Sequence, residues 1–359
     1  MDNEWNDEEL QGTEADQTAE GDELFEHYRA QVDKGQELLR IDKYLQNRLE
    51  KTSRTRIQAA ADTGNIHVNG KPVKSNYRVK PGDIVTIVFA RPPREIELKP
   101  EPIPLDIVFE DDTVIVINKQ AGLVVHPGYG NYSGTLVNAL MHHFQHVPIY
   151  SQNDPRPGLV HRLDKNTSGI MVLAKSEYAL AHLARQFFDR TTERTYQALV
   201  WGNVAQDEGT ITGHIGRDVR DRKVFAVYAD GSQGKHAVTH YKVLERFGYL
   251  TWIECRLETG RTHQIRVHLK HIGHTLFNDD TYGGDAVLRG LKSGSYAKFI
   301  ENCFGILPRH ALHAKSLGFI HPKTGERHFF DSEIPSDMEE VRERLRKFSK
   351  AQFELDRRV

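Results

Sequence analysis

The apolar positions of this chain alternate between helical and strand spacing. Ile41, Leu45 and Leu49 recur at helical intervals with Tyr44 beside them, which predicts an amphipathic helix. Ser53 is placed to cap a second helix and Gly64 to stop it. Ile66-His67-Val68 then reads as a strand, Asn69-Gly70 as a type I′ hairpin turn, and Ile84–Phe89 as a further strand after the turn Pro81-Gly82-Asp83. From Leu105 to Pro335 the runs are mostly strand-like: Thr113–Asn118, Arg194–Trp201, Val224–Tyr228, Ala237–Leu244, Leu250–Leu257 and Ile265–Leu269. Helical spacing interrupts them at Leu136, Leu140 and Phe144, at Glu177–Phe188, and again from Ser336 to Val359. Runs of strands with occasional helices predict an α+β fold. Its larger part is a mixed, largely antiparallel sheet flanked by helices, preceded by a small α/β domain.

Composition divides the chain further. Residues 1–37 are polar, acidic and poor in aromatics, and read as a disordered tail with room for a short helix near Leu24 to Val32. Five prolines in residues 91–104 predict an extended linker between the small domain, 38–90, and the larger one, 105–335; residues 336–359 read as a C-terminal helix. The formal net charge of −2 conceals an asymmetry. Residues 1–28 hold eleven Asp or Glu and no Lys or Arg, which leaves 48 basic against 39 acidic residues, a net of +9, for the rest. Such a body suits a polyanionic partner, with the tail either a solvated appendage or a competitor for the basic surface. Two cysteines, Cys255 and Cys303, fit a reducing compartment, and no apolar window is long enough for a membrane helix. The expected location is cytoplasmic and the expected state a monomer.

The densest cluster of chemistry is His161-Arg162-Leu163-Asp164-Lys165-Asn166-Thr167-Ser168-Gly169, between the apolar runs 158–160 and 170–174. Strand, polar connection and strand predict a hairpin, with Gly169 supplying a backbone angle other residues resist. Asp164, Asn166 and Ser168 are ordinary turn formers. Turns rarely also carry His, Arg, Asp and Lys within five residues, a set that suits catalysis on a scaffold loop. The stretch resembles the His-Arg-Leu-Asp-x-x-Thr-Ser-Gly signature of the RluA-type pseudouridine synthases. That resemblance implies that Asp164 is the catalytic nucleophile.

Two further motifs fit the same family. On a strand from Glu193 to Val200, alternation puts Tyr196, Ala198 and Val200 on one face. In Gly260-Arg261-Thr262-His263-Gln264-Ile265-Arg266-Val267-His268, read as a strand, Gln264, Arg266 and His268 face away from Ile265 and Val267. An aromatic on one face and an arginine on the other are ordinary as core and solvated residues. The resemblance instead puts Tyr196 and Arg266 in the pocket with Asp164, and Leu312 of Leu312-His313-Ala314 beneath it as a packing residue. It implies RNA uridine as substrate, with Asp164 attacking as a nucleophile or removing a sugar proton. Tyr196 would stack on the uracil, and Arg266 would hold Asp164 ionised. The uridine would have to flip out of its stack, with Arg162 filling the gap. His161 is also expected at the RNA. No redox step or group donor is needed, so no cofactor is expected.

Residues 38–90 hold ten Lys or Arg against four Asp or Glu. Their element order resembles the S-four-type RNA-binding module. Lys43, Arg48, Lys51, Arg54 and Arg56 would then grip RNA backbone, which positions without specifying. The RluD-like members that carry this module modify a stem-loop of large-subunit (23S) ribosomal RNA. That target is expected here, with tRNA, or binding in ribosome assembly without catalysis, as alternatives. A metal site is not expected: His263, His268, His271, His274, His310 and His313 include no His-Glu-x-x-His and no Cys pair. A strand would also point His263 and His268 to opposite sides.

Overall fold

The computed structural model describes residues 25–49, 52–89, 98–127, 131, 133–151, 157–218, 224–290 and 294–356. Two compact units form, one N-terminal and one from Leu98 onward.

In the first unit, β1 (Phe25–Gln31) precedes α1 (Ile41–Arg48) and α2 (Arg54–Asp62), followed by β2 (Ile66–Val68), β3 (Lys71–Pro72) and β4 (Ile84–Phe89). The sheet order is β1-β4-β2-β3. The Ser53 hydroxyl accepts from the Arg56 amide, capping α2. Asn69 and Gly70 both have positive φ, 51° and 77°, as a type I′ turn between β2 and β3 requires. Ile41, Leu45, Ile57, Ile66 and Ile87 meet in the core. Here the sequence reading needs correction: residues 25–31 are neither tail nor helix. They pair antiparallel with β4, from Phe25 opposite Phe89 to Gln31 opposite Ile84. The acidic residues before Phe25, and Lys51, lie outside the described residues.

The second unit contains β5 (Ile107–Glu110), β6 (Val114–Lys119), α3 (Leu136–His143), α4 (Pro148–Ser151), β7 (Ser168–Ala174), α5 (Glu177–Asp189), β8 (Glu193–Trp201) and β9 (Glu208–Arg217). After these come β10 (Phe225–Tyr228), β11 (Lys235–Arg246), β12 (Leu250–Leu257), α6 (Gln264–His271), α7 (Ser295–Ile306), β13 (Leu312–Ile320), β14 (Arg327–Asp331) and α8 (Ser336–Asp356). They build the expected α+β architecture around one sheet, ordered β10-β9-β11-β12-β8-β13-β7-β6-β5, with β14 against β13. All its strand pairs are antiparallel except β13 with β7. The linker expectation also shifts. Residues 91–97 lie outside the described residues, but 98–104 belong to this unit. The Lys99 carbonyl accepts from Asn138 Nδ2 at 2.8 Å, and Ile103 packs on the core.

Two local elements differ from the sequence reading, and both bear on function. Residues 264–271 are a helix, α6, not a strand. Gln264 through Leu269 are all buried, so apolar alternation carried no information about which face meets solvent. The hairpin around Asp164 is an irregular loop: among the described residues before it, an isolated bridge joins Leu159 to Leu173 of β7. Gly169 has φ 121°, and a Cβ there would lie 2.2 Å from the Ala314 carbonyl oxygen. The glycine therefore permits β13 to lie close beside the loop exit.

Candidate active site

A cavity of about 340 Å³ opens between the 160–167 loop, the start of β8 and the 260–266 segment. Asp164, Tyr196, Arg266, Leu312, Arg162 and His161 all line it. Residues 100 and more apart in sequence meet here because β8 lies between β12 and β13, and β13 runs beside β7.

Arg266 is almost fully buried on α6. Its Nε and Nη2 donate to the two oxygens of Asp279 at 2.8 and 2.7 Å, while Nη1 donates to Asp164 Oδ2 at 3.2 Å. The Tyr282 ring lies beneath the guanidinium, 4.9 Å from it, and adds a cation–π contact. The Tyr282 hydroxyl also meets His263 Nδ1 at 2.8 Å, and His263 Nε2 is 3.9 Å from Asp164 Oδ2. Burial pushes the Asp164 carboxyl up, but His263, Arg266 and His310 outweigh that and hold it below the usual aspartate value. Burial lowers the His263 pKa, with Asp164 opposing that shift. Of the groups that lower Asp164, Arg266 is the one in direct hydrogen-bond contact with it. Tyr196 is buried, which raises its phenol above the ordinary value and keeps it protonated.

The loop beneath Asp164 is fastened by two buried cations that sequence reading missed. Lys119 Nζ donates to the carbonyls of Gln120, Leu123 and Lys165 at 2.8, 2.9 and 3.1 Å, which uses every N–H of the ammonium. Burial lowers its pKa to about 7, with Asp164 opposing that shift and Arg309 adding to it. Arg309 Nη1 donates to the Asn166 carbonyl at 3.2 Å, while Nε and Nη2 hold Asp337 of α8 at 2.8 and 2.9 Å. Thr167 Oγ1 pairs with His310 Nε2 at 2.9 Å. No motif spacing announces Lys119, Asp279, Tyr282 or Arg309. Their signal is spatial.

His161 lines the cleft while its Nε2 accepts from the Val172 amide at 3.2 Å and its ring stacks on Phe187 at 4.6 Å. Burial lowers its pKa to about 3, which keeps the ring neutral. The strand argument about histidines fails, since His263 precedes α6 as its N-cap, in a left-handed conformation, and His268 lies on the helix itself. His268 pairs with Thr239, and His313 with Ser168 and Ser332. Among the described residues no group of three or more His, Cys, Asp or Glu is placed to hold a metal ion. No helix among them is long and apolar enough to cross a membrane.

In the first unit, Lys43 is exposed. Arg48 pairs with Asp33 and covers the Tyr44 ring at 4.8 Å. Arg56 is half-buried on α2. Arg54 is partly committed inward, its Nε donating at 3.0 Å to Asp42, a fully buried carboxylate also held by Arg40 and Gln58. Burial raises the Asp42 pKa, but these three partners outweigh it and bring it to about 2.

The family model for RNA pseudouridylate synthases matches residues 113–271, and that for the S4 domain matches residues 39–85. An uncharacterized RNA pseudouridine synthase of Chlorobaculum parvum is 48% identical, over 88% of this chain and 96% of its own length. The ribosomal large subunit pseudouridine synthase D of Neisseria meningitidis serogroup B is 45% identical, over 83% of this chain and 76% of its own. RNA pseudouridine synthase 2, chloroplastic, of Arabidopsis thaliana is 39% identical, over 86% and 81%. With an S4 domain ahead of a sheet that carries one carboxylate-bearing cleft, this chain belongs to the RNA pseudouridine synthases, isomerases that act on uridine in RNA.

Proposed function

We propose that Asp164 is the residue that reacts with the uridine, and that the target lies in a stem-loop of large-subunit ribosomal RNA in the cytoplasm. The carrying observation is the Asp164–Arg266 contact at 3.2 Å inside a cleft that Tyr196 also lines. The isomerisation breaks N1–C1′, turns the base and forms C5–C1′. An ionised carboxylate serves either route, attack at the sugar or removal of a sugar proton. Arg266 keeps it ionised and aimed. Tyr196 gives the uracil a stacking surface and, as a neutral phenol, a hydroxyl able to relay the C5 proton. Leu312 packs against the floor of the cleft, and exposed Arg162 stands at its mouth, where a flipped uridine leaves a gap. The ribosomal target rests on the name of the Neisseria relative.

Lys43, Arg48, Arg54 and Arg56 would hold phosphates and set register, and the S4 domain would add affinity without chemistry. Deleting that domain should weaken RNA binding and flatten its salt dependence. The main experiment maps pseudouridines in RNA from cells lacking the protein, complemented with wild type or Asp164→Ala. Marks in 23S rRNA that only wild type restores support the reading. Marks restored equally by Asp164→Ala overturn the catalytic assignment, and marks missing only from tRNA move the target.

A further inference from the structure

Arg194 is a buried cation without a counter-charge among the described residues. It is the second residue of β8, 9% exposed, on the same strand face as Tyr196, and lines the same cleft. Among the described residues it makes no ion pair, and its Nε has no hydrogen-bond partner. Its guanidinium lies 5.4 Å from the Phe187 ring, which His161 stacks against in turn. Gly260, across the cleft, leaves it room: a Cβ there would come within 3.0 Å of Nη1. The other buried arginines behave differently, since Arg266 has Asp279 and Arg309 has Asp337. A buried, unpaired charge is costly to a fold, so one that faces a substrate cleft awaits an anion.

We propose that Arg194 is a phosphate-binding residue, receiving the backbone phosphate of the nucleotide whose base lies on Tyr196. The inference rests on the reading of the Asp164 cleft as the reacting site. Two features select phosphate over a uracil carbonyl. A neutral carbonyl would leave the charge uncompensated. Arg266 is matched by Asp279 and Asp164, but the cleft also carries Arg162, Arg194 and Arg261, so its unsatisfied charge is positive. Residues i and i+2 of a strand stand about 7 Å apart. Tyr196 and Arg194 thus offer neighbouring places for a base and its phosphate. A guanidinium fork suits phosphate geometry, and the Phe187 ring holds its plane.

The test compares uridine 5′-monophosphate with uridine as competitors of tritium release from [5-³H]uridine-labelled RNA of cells lacking the enzyme. Wild type should bind the monophosphate at least about tenfold more tightly than the nucleoside, on the scale of a charge-assisted hydrogen bond. Arg194→Gln should erase that preference and raise the half-saturating RNA concentration, with Arg194→Lys restoring part of both. The log–log salt slope of RNA binding should fall by about one contact in Arg194→Gln. Its melting temperature should hold or rise, because a desolvated charge is removed. A preference that survives Arg194→Gln, or a melting temperature that falls with binding unchanged, overturns the proposal and makes Arg194 a packing residue. Asp164→Asn serves as the control for the cleft: if it still releases tritium, the reading of the cleft fails first, whatever Arg194 does.

Discussion

Asp279 grips Arg266 with both carboxylate oxygens, at 2.8 Å from Nε and 2.7 Å from Nη2, and so fixes which edge of the guanidinium faces Asp164. Asp279→Asn should cut kcat by on the order of 10²-fold, the usual consequence of about 1 Å of misplacement. Its effect on KM should be small. Asp279→Ala should also cost about 3–5 kcal/mol of stability, because it strands a buried cation. Single-turnover tritium release and urea midpoints read the two effects separately. A wild-type kcat in Asp279→Asn would sink the positioning role.

On the proposed role of Asp164, Arg266 should also set the acid limit of the reaction. Asp164 is held below its usual range, so activity in wild type should persist as pH falls through the ordinary carboxylate range. In Arg266→Gln burial is no longer offset by that cation, and the Asp164 pKa rises. The acid limb of kcat/KM should therefore move upward, and the lost activity should return as the pH is raised. An unshifted limb with a reduced plateau would mean that Arg266 acts on the substrate and not on Asp164.

The third prediction concerns α8. Arg309 spans from Asp337 on that helix to the Asn166 carbonyl in the Asp164 loop. Asp337→Asn should lower stability by about 1–3 kcal/mol, the usual cost of losing a partner to a charged group. It should also lower kcat, although position 337 is outside the cleft lining. Asp337→Glu should recover part of both. Loss of stability with kcat intact would confine α8 to a packing role.

A fourth prediction is acid lability of the catalytic unit. Burial, with help from neighbouring cations or histidines, lowers His268, His310 and His313 to about 4 each. The unfolded chain takes up protons near 6.5, while the folded form resists them. Stability should fall as pH drops from about 6.5 toward 4, by up to about 1.4 kcal/mol per pH unit for each ring. Calorimetry at pH 7, 6 and 5 measures this. A flat profile would mean that these rings are protonated in the fold. His313→Gln should reduce the slope by one ring.

The family was legible because its motifs are contiguous in sequence: nine residues around Asp164 and short segments around Tyr196 and Arg266 carry the resemblance. The local structure of those segments was less legible. Arg266 sits in the buried stretch Gln264–Leu269 of α6, where Gln264 bonds to Thr239, Thr259 and Val238 and His268 Nδ1 to Thr239, so polarity gave no sign of a solvent face. The strand β1 escaped because its register slips between Glu26 and Tyr28, which breaks the alternation a strand should show. Asp279 and Lys119 matter through contacts that only the folded sheet creates. Lys119, a lysine ending an apolar strand, reads as a surface residue until its three carbonyl partners are known.

Those three partners have a consequence for timing. An ammonium whose every proton is engaged leaves the Lys165 segment little freedom to rearrange when RNA arrives. The carboxylate's placement is then settled while the polypeptide folds, long before any encounter. The conformational work of each encounter falls on the nucleic acid, which must open a helix or loop to fit a fixed receptor. Selectivity among uridines would on this basis follow how readily each RNA site distorts, so that a weakened stem should be modified faster than a strong one with the same loop sequence.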